Sequence, residues 1–265
     1  MAGNNKPRIV IQKRDRQLFG ELAVMRVADR EQIKTVAGFG SVTRVNTRLL
    51  ALTRAGLLRR FFLGTTAGGA KALYALSAKG AESMGLPLRG PRRRQDEAFV
   101  ANFFVSHQLA VNDIYCALRY RPVPMAGVRF RRWHCFHEPV SPRISLIPDG
   151  YVELETPSGI VASFLEIDLG NESLPVWTEK VKKYLEFALT ENSSIQIARP
   201  FRVMVIAHSE RRMRSIRETV AALTNKLFWF ASHETIHRDG LFASLWLRPT
   251  GEERLPLVKE PKELP

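Results

Sequence analysis

Residues 38–60 read GFGSVTRVNTRLLALTRAGLLRR. Gly38, Phe39 and Gly40 make a turn. Ser41 follows as an N-cap residue, whose hydroxyl accepts one of the orphan N–H groups at a helix start. Val42, Val45, Leu49 and Leu52 then recur at helical spacing and define a buried face. Thr43, Arg44, Asn46, Thr47 and Arg48 fall on the other face. Arg44 and Arg48 are four apart and share one side with Thr47 between them. Ala55-Gly56-Leu57 supplies a glycine stop.

Working outward, Asp15 is expected to cap a helix running to about Met25, with Leu18, Leu22 and Met25 inward. Asp29 caps a second helix whose apolar side is Ile33, Val36 and Ala37. Downstream, an apolar run from Leu57 to Leu63 and a second from Lys71 to Leu76 flank a Gly/Thr-rich tip, the pattern of a hairpin. Ser77-Ala78-Lys79-Gly80 opens a final short helix. Helix, helix, glycine turn, helix, hairpin is the order of a winged helix-turn-helix. The segment Arg48 to Arg60 resembles the recognition-helix exit of winged-helix regulators.

That geometry carries its own chemistry. A helix fits the major groove of double-stranded DNA, where Arg and Asn present paired donors and acceptors to guanine and adenine edges. Thr43, Arg44, Asn46, Thr47 and Arg48 are therefore expected in the groove, and Arg59, Arg60 and Lys71 on phosphate. Charge agrees. The 265-residue chain has a net charge of +14. Residues 1–94 hold 19 Lys/Arg against 5 Asp/Glu, and the remainder is balanced. A surplus confined to one third of a chain is the footprint of a polyanion binder. A winged helix that binds protein needs no such surplus.

Pro87 to Arg94 holds two prolines, a glycine and four arginines, a linker by composition. Arg92, Arg93 and Arg94 are expected to touch phosphate as well. The expected organisation is a winged helix over residues 1–86, a basic linker over 87–95, an α/β unit over 96–248 and a tail over 249–265. The fold class is α+β. Two cysteines, neither in a CxxC pair, argue against a disulfide framework or zinc ribbon. No signal-like core and no apolar run of about 18 residues occur, so a cytoplasmic protein with no membrane span is expected.

In the second unit, Asp96 to Leu118 reads as one long helix. Tyr151 to Glu155 and Ile160 to Asp168 read as strands joined by a turn. A helix follows from about Val176, carrying Trp177, Val181 and Tyr184 inward and Lys180, Lys182 and Lys183 beside them. Phe201 to Ala207 is another strand, Ser209 to Phe230 a helix, and Leu241 to Leu247 a last strand. Glu166 and Asp168, two apart in a strand, point to one side and are expected to converge with Asp149. Three carboxylates beside lysines suit Mg²⁺, a hard cation that keeps several waters. Such a cation polarises a phosphodiester and activates water. The bland alternative is a capped strand end with solvated acids.

Pro148-Asp149 followed by Glu166-x-Asp168 resembles the PD-(D/E)xK nuclease fold. That pattern places a lysine where this chain has Asp168, so the resemblance moves the catalytic lysine to Lys180 on the next helix. Without that relocation it implies a degenerate, non-cutting relative that serves as a protein-docking platform. With the winged helix added, the chain is similar to the replication-relaxation family of plasmids and mobile elements. The residues that carry this likeness are Asp15 to Leu18, Tyr74 to Gly80, His107 to Leu109, Pro148 to Gly150, Phe164 to Gly170 and Lys180 to Tyr184. The resemblance implies work on plasmid or mobile-element DNA, with metal-dependent nicking or a regulatory or assembly role among protein partners.

Two further motifs point elsewhere. His233-Glu234-Thr235-Ile236-His237 matches the HExxH of zinc proteases, but Arg238-Asp239-Gly240 breaks the chain at once and few residues remain for a third ligand. His134-Cys135-Phe136-His137 lacks half of a zinc set.

Overall fold

The computed structural model describes residues 9–65, 68–91, 103–189, 195–198 and 200–258, with the backbone of Ala98–Phe99. The chain divides into two compact units, Met1–Cys116 and Ala117–Pro265. It mixes helices with two sheets, as the α+β expectation requires.

The first unit begins with α1 (Lys13–Met25), β1 (Ala28–Asp29), α2 (Arg30–Val36) and α3 (Val42–Arg54). The hairpin strands β2 (Leu58–Gly64) and β3 (Ala70–Leu76) follow, then the short helix α4 (Ala78–Glu82), β4 (Ala98–Phe99) and the start of α5 (Phe103–Tyr120). Sheet order is β1-β3-β2-β4, with β2 antiparallel to β3 over seven paired positions and parallel to β4. The expected order of three helices and a hairpin is the observed one.

Local chemistry explains the helix borders. Asp29 caps α2 by accepting from Gln32 N, and Gln32 returns the contact in a capping box. Ser41 caps α3 by accepting from Arg44 N. Gly38, at φ 63°, turns the chain between them in a region that favours glycine. Val45, Leu49 and Leu52 are fully buried, so truncating either leucine to Ala costs about 2–5 kcal/mol. Asp15 is not the N-cap of α1. That residue is Gln12, and Asp15 sits at the third helical position, accepting from Gln12 N at 2.7 Å.

Gly80 marks the closest backbone approach of this unit. A side-chain carbon there would lie 2.1 Å from the Leu57 carbonyl oxygen. The same oxygen accepts from Ser77 N at 3.1 Å and from the Ser77 hydroxyl at 3.0 Å.

The helix expected from Asp96 starts at Phe103 among the described residues, and Ala98–Phe99 is a strand instead. The unit also reaches beyond the expected linker into α5. Val105 and Leu109 join Val27, Phe61, Leu73 and Ala75 in one apolar cluster. Asn112 donates to the carbonyls of Met25 and Val27, and Tyr115 donates to Glu21 at 2.6 Å.

The second unit contains β5 (Arg129–His134), β6 (Gly150–Thr156), β7 (Gly159–Asp168), α6 (Leu174–Leu189) and β8 (Phe201–Ala207). It ends with α7 (Glu210–Ala221), β9 (Phe228–Ser232) and α8 (His233–Asp239). The five strands lie in chain order: β5-β6-β7 antiparallel, then β7-β8-β9 parallel through crossovers carrying α6 and α7. Phe164, Val203, Val205, Phe228 and Phe230 pack with Trp177, Val181 and Tyr184 of α6 and Ile216 of α7 in the core.

Two expectations fail here. The long helix to Phe230 ends at Ala221, and Phe228–Ser232 is a strand. All five of its residues are buried, so the run shows no alternation to mark it as a strand. Leu241 to Leu247 forms only isolated bridges, from Leu247 to Phe230 and from Trp246 to Leu255.

Candidate functional site

In the first unit, Thr43, Arg44, Asn46 and Thr47 are exposed on one face of α3. Arg48 lies beside them but is half-buried and paired. Its Nε donates to Asp15 Oδ1 at 2.9 Å, and its Nη2 donates to Asp15 Oδ2 and, at 2.7 Å, to Val10 O. Asp15 is fully buried. Arg48 thus braces α3 against α1, a structural role that the expectation of a groove contact did not include. The pairing raises the Arg48 pKa, chiefly through the Asp15 hydrogen bond.

Arg14 takes the neighbouring place. Its guanidinium lies over Phe39 at 4.6 Å, beside a cleft of about 340 Å³ that Thr43, Arg44, Thr47 and Arg48 also line. The sequence reading missed Arg14 because it started α1 at Asp15. Gln12 is not one of the residue types that mark a helix start, so no local signal would have moved the start upstream.

On the hairpin, Arg59 lies over Phe61 at 4.8 Å and donates to Pro91 O at 2.8 Å. Arg60 lies over Phe62 at 5.1 Å. Lys71 is half exposed, with its ammonium 2.5 Å from Asp29 Oδ2 at the start of α2. Arg92, Arg93 and Arg94 lie outside the described residues.

In the second unit, the β6–β7 register sets Gly150 opposite Leu165. Asp149 therefore lies at the end of β7, where its Oδ2 accepts from Ile167 N at 2.7 Å. Gly150 faces Trp133, and a side-chain carbon there would meet the indole at 2.6 Å. Glu166 is buried. Its Oε1 accepts from Tyr184 at 2.6 Å and its Oε2 from Lys180 at 2.8 Å. Lys180 also donates to Glu172 at 2.8 and 3.0 Å and lies over Trp177 at 4.8 Å. Asp149, Glu172 and Lys180 border a cleft of about 600 Å³, whose walls also include Ile147, Val176 and Lys183.

Asp168 has the same strand side but different partners. Arg212 grips both its oxygens at 2.8 Å, Trp177 Nε1 donates at 2.9 Å and Gly170 N at 2.8 Å. Burial alone would raise its pKa, but these donors hold it below the usual carboxylate value. At Glu166 the balance is reversed. Burial pushes it up to about 7 despite Lys180, and Asp149 adds to the rise. Burial also works against the charge of Lys180, yet Glu166 and Glu172 outweigh it and raise the ammonium pKa.

Among the described residues no three His, Cys, Asp or Glu side chains gather in a metal-sized group. The carboxylates are instead paired with cationic side chains, Asp168 with Arg212 and Glu166 with Lys180. The pair that the sequence did place together is Glu166 and Lys180. Glu172 was missed, since its loop position after Gly170 carries no periodic signal. The HExxH stretch forms α8, only seven residues long. In the other motif, Trp133 Nε1 donates to Cys135 Sγ at 3.0 Å.

Fold and site together define a two-unit α+β protein, with a basic three-helix-and-hairpin unit ahead of a mixed five-stranded sheet. The sequence profile of the replication-relaxation family matches residues 19–196, about two thirds of the chain. The chain belongs to the replication-relaxation family. No curated protein and no solved structure matches it. Among the described residues no helix is long and apolar enough to cross a membrane.

Proposed function

We propose that the protein is a sequence-reading, double-stranded DNA-binding regulator of plasmid or mobile-element type, built on a winged helix in its first unit. The observation that carries this reading is the polar face of α3. Thr43, Arg44, Asn46 and Thr47 stand exposed on the helix that follows the Gly38 turn, inside the third of the chain that holds the entire positive surplus. Arg14 supplies a further cation beside that face. Arg44 and Asn46 would read base edges, and Arg14, Arg59 and Arg60 would neutralise phosphates.

The strand order of the second unit supports a PD-(D/E)xK-like framework. Its carboxylates favour a non-cutting form. Asp168 is saturated by Arg212, Trp177 and Gly170, and Glu166 by Lys180 and Tyr184. Mg²⁺ does not fit this donor set without breaking those bonds, so no hydrolytic step is assigned to it.

Duplex binding by the full chain tests the reading, with anisotropy measured on a selected preferred site and on random duplex. Arg44→Ala or Asn46→Ala should cost about 1–3 kcal/mol on the preferred site and less on random duplex. Affinity should fall steeply with salt as counterions are released. Wild-type protein with no duplex affinity at low salt overturns the DNA reading. Supercoiled plasmid should stay closed in Mg²⁺ or Mn²⁺. Nicking that disappears in Lys180→Ala would instead assign cutting to the second unit.

A further inference from the structure

On the sheet of the second unit, Arg202 is the second residue of β8 and Trp229 lies in β9. Both alternate with residues that face α6 and α7, namely Phe201, Val203, Phe228 and Phe230, so they occupy the opposite side of the sheet. They also lie toward the start of the parallel strands, whereas Glu166 and Asp168 end β7. The place is thus separate from the Lys180 cleft in both face and end.

Two guanidinium groups meet there on one indole. The Arg202 guanidinium lies 4.3 Å from the Trp229 ring centre, and that of Arg248 lies 5.1 Å from it. Each spends one nitrogen on a backbone carbonyl: Arg202 Nη1 on Leu257 O at 2.7 Å and Arg248 Nη2 on Asn225 O at 3.3 Å. Among the described residues neither has a carboxylate within ion-pair distance. Stacking satisfies the faces of a guanidinium but leaves its edge donors and its charge uncompensated. Burial, and then the charge of Arg248, bring the Arg202 pKa down to about 10. That is the direction expected when like charges are held together without an anion. The chain leading into β9 is also strained. Leu227 has φ 65°, a left-handed conformation that is uncommon for a bulky residue and is found where surrounding structure enforces it. The exposed Lys226 precedes it.

We propose that Arg202 and Arg248 form a binding site for a phosphate-class oxyanion beside Trp229. A phosphate offers several acceptor oxygens to the free edges of both guanidinium groups, in the paired geometry that arginine favours. It also removes the repulsion that otherwise opposes their shared stacking. Phosphodiester backbone and free phosphomonoester present the same chemistry at this site.

The test uses the full chain in chloride buffers of matched ionic strength, with inorganic phosphate as the probe. Phosphorus NMR line broadening measures binding, and the melting temperature is followed in parallel. Wild type should broaden the phosphate line and melt higher as phosphate is added. Arg202→Gln and Arg248→Gln should each weaken binding by about tenfold or more. Arg248→Gln gives up a long hydrogen bond and a distant ring contact but relieves the repulsion, so it should melt no lower than wild type in phosphate-free buffer. A purely structural arginine would lower the melting temperature there instead. No phosphate response in wild type, or an undiminished response in both variants, overturns the proposal. Competition by a short duplex assigns the site to nucleic-acid backbone, whereas competition by a nucleoside monophosphate alone assigns it to a free monoester.

Discussion

Replacing Arg48 by Met separates bracing from reading. The substitution keeps an unbranched chain on α3 and removes the charge that pairs with Asp15. Asp15 is fully buried and would keep only the Gln12 N–H among the contacts described above. Leaving one partner of a buried pair uncompensated costs about 3–5 kcal/mol. The Arg48 side chain is 18% exposed, so some of its strength is screened and the lower end, about 3 kcal/mol, applies. Adding Asp15→Asn removes the stranded charge while retaining an acceptor for Gln12 N. A hydrogen-bonded neutral amide is much less costly to bury, so roughly half of the loss should return. The assay exploits the tryptophans, since all four, Trp133, Trp177, Trp229 and Trp246, lie in the second unit. Urea unfolding followed by amide circular dichroism reports both units, whereas indole emission reports the second. The Arg48→Met loss should appear in the dichroism transition first. The double variant should keep the base preference set by Arg44. A fully stable Arg48→Met protein that has lost its sequence preference would refute the bracing role and return Arg48 to the groove.

Other outcomes follow from the same contacts. Glu166 has a folded pKa of about 7 against an ordinary 4.5, so the native state holds this proton more tightly than the unfolded chain. Its contribution is fully present below about pH 4.5 and is lost as pH rises through about 7. Glu166→Gln should therefore flatten the fall in denaturant midpoint across that window, and an unchanged slope would contradict the assignment. Gly80→Ala should destabilise the first unit by about 1–3 kcal/mol, because the added carbon meets backbone rather than a movable side chain. Asp168→Asn should lower stability at neutral pH by weakening the Arg212 grip, with little effect on duplex affinity. A large loss of affinity would link the second unit to DNA binding.

The first unit was largely legible because its signals are local. A cap at Asp29, a glycine turn, a cap at Ser41 and periodic Val45, Leu49 and Leu52 each act within a few residues. The ends of β7 and β8 were readable for the same reason, being long apolar runs between polar breaks. What escaped depends on partners distant in sequence. Arg48 and Asp15 are 33 residues apart, and Asp168 and Arg212 are 44 apart. Nothing in the spacing of Asp149, Glu166 and Asp168 could reveal that an arginine from α7 would claim the last of them. The strand Phe228–Ser232 escaped because it is buried on both faces and its pattern does not alternate.

The bare Cα of Gly80 governs more than its own neighbourhood. It lets α4 press against the Leu57 carbonyl at the root of the hairpin, where both strands are anchored. Each strand has seven residues, so the hairpin is a lever about 20 Å long. A tilt of about 5° at its root would swing the tip by nearly 2 Å, roughly the difference between a hydrogen bond to phosphate and none. The reach of the hairpin is thus fixed by an atom that is missing at its base, far from anything the tip could touch.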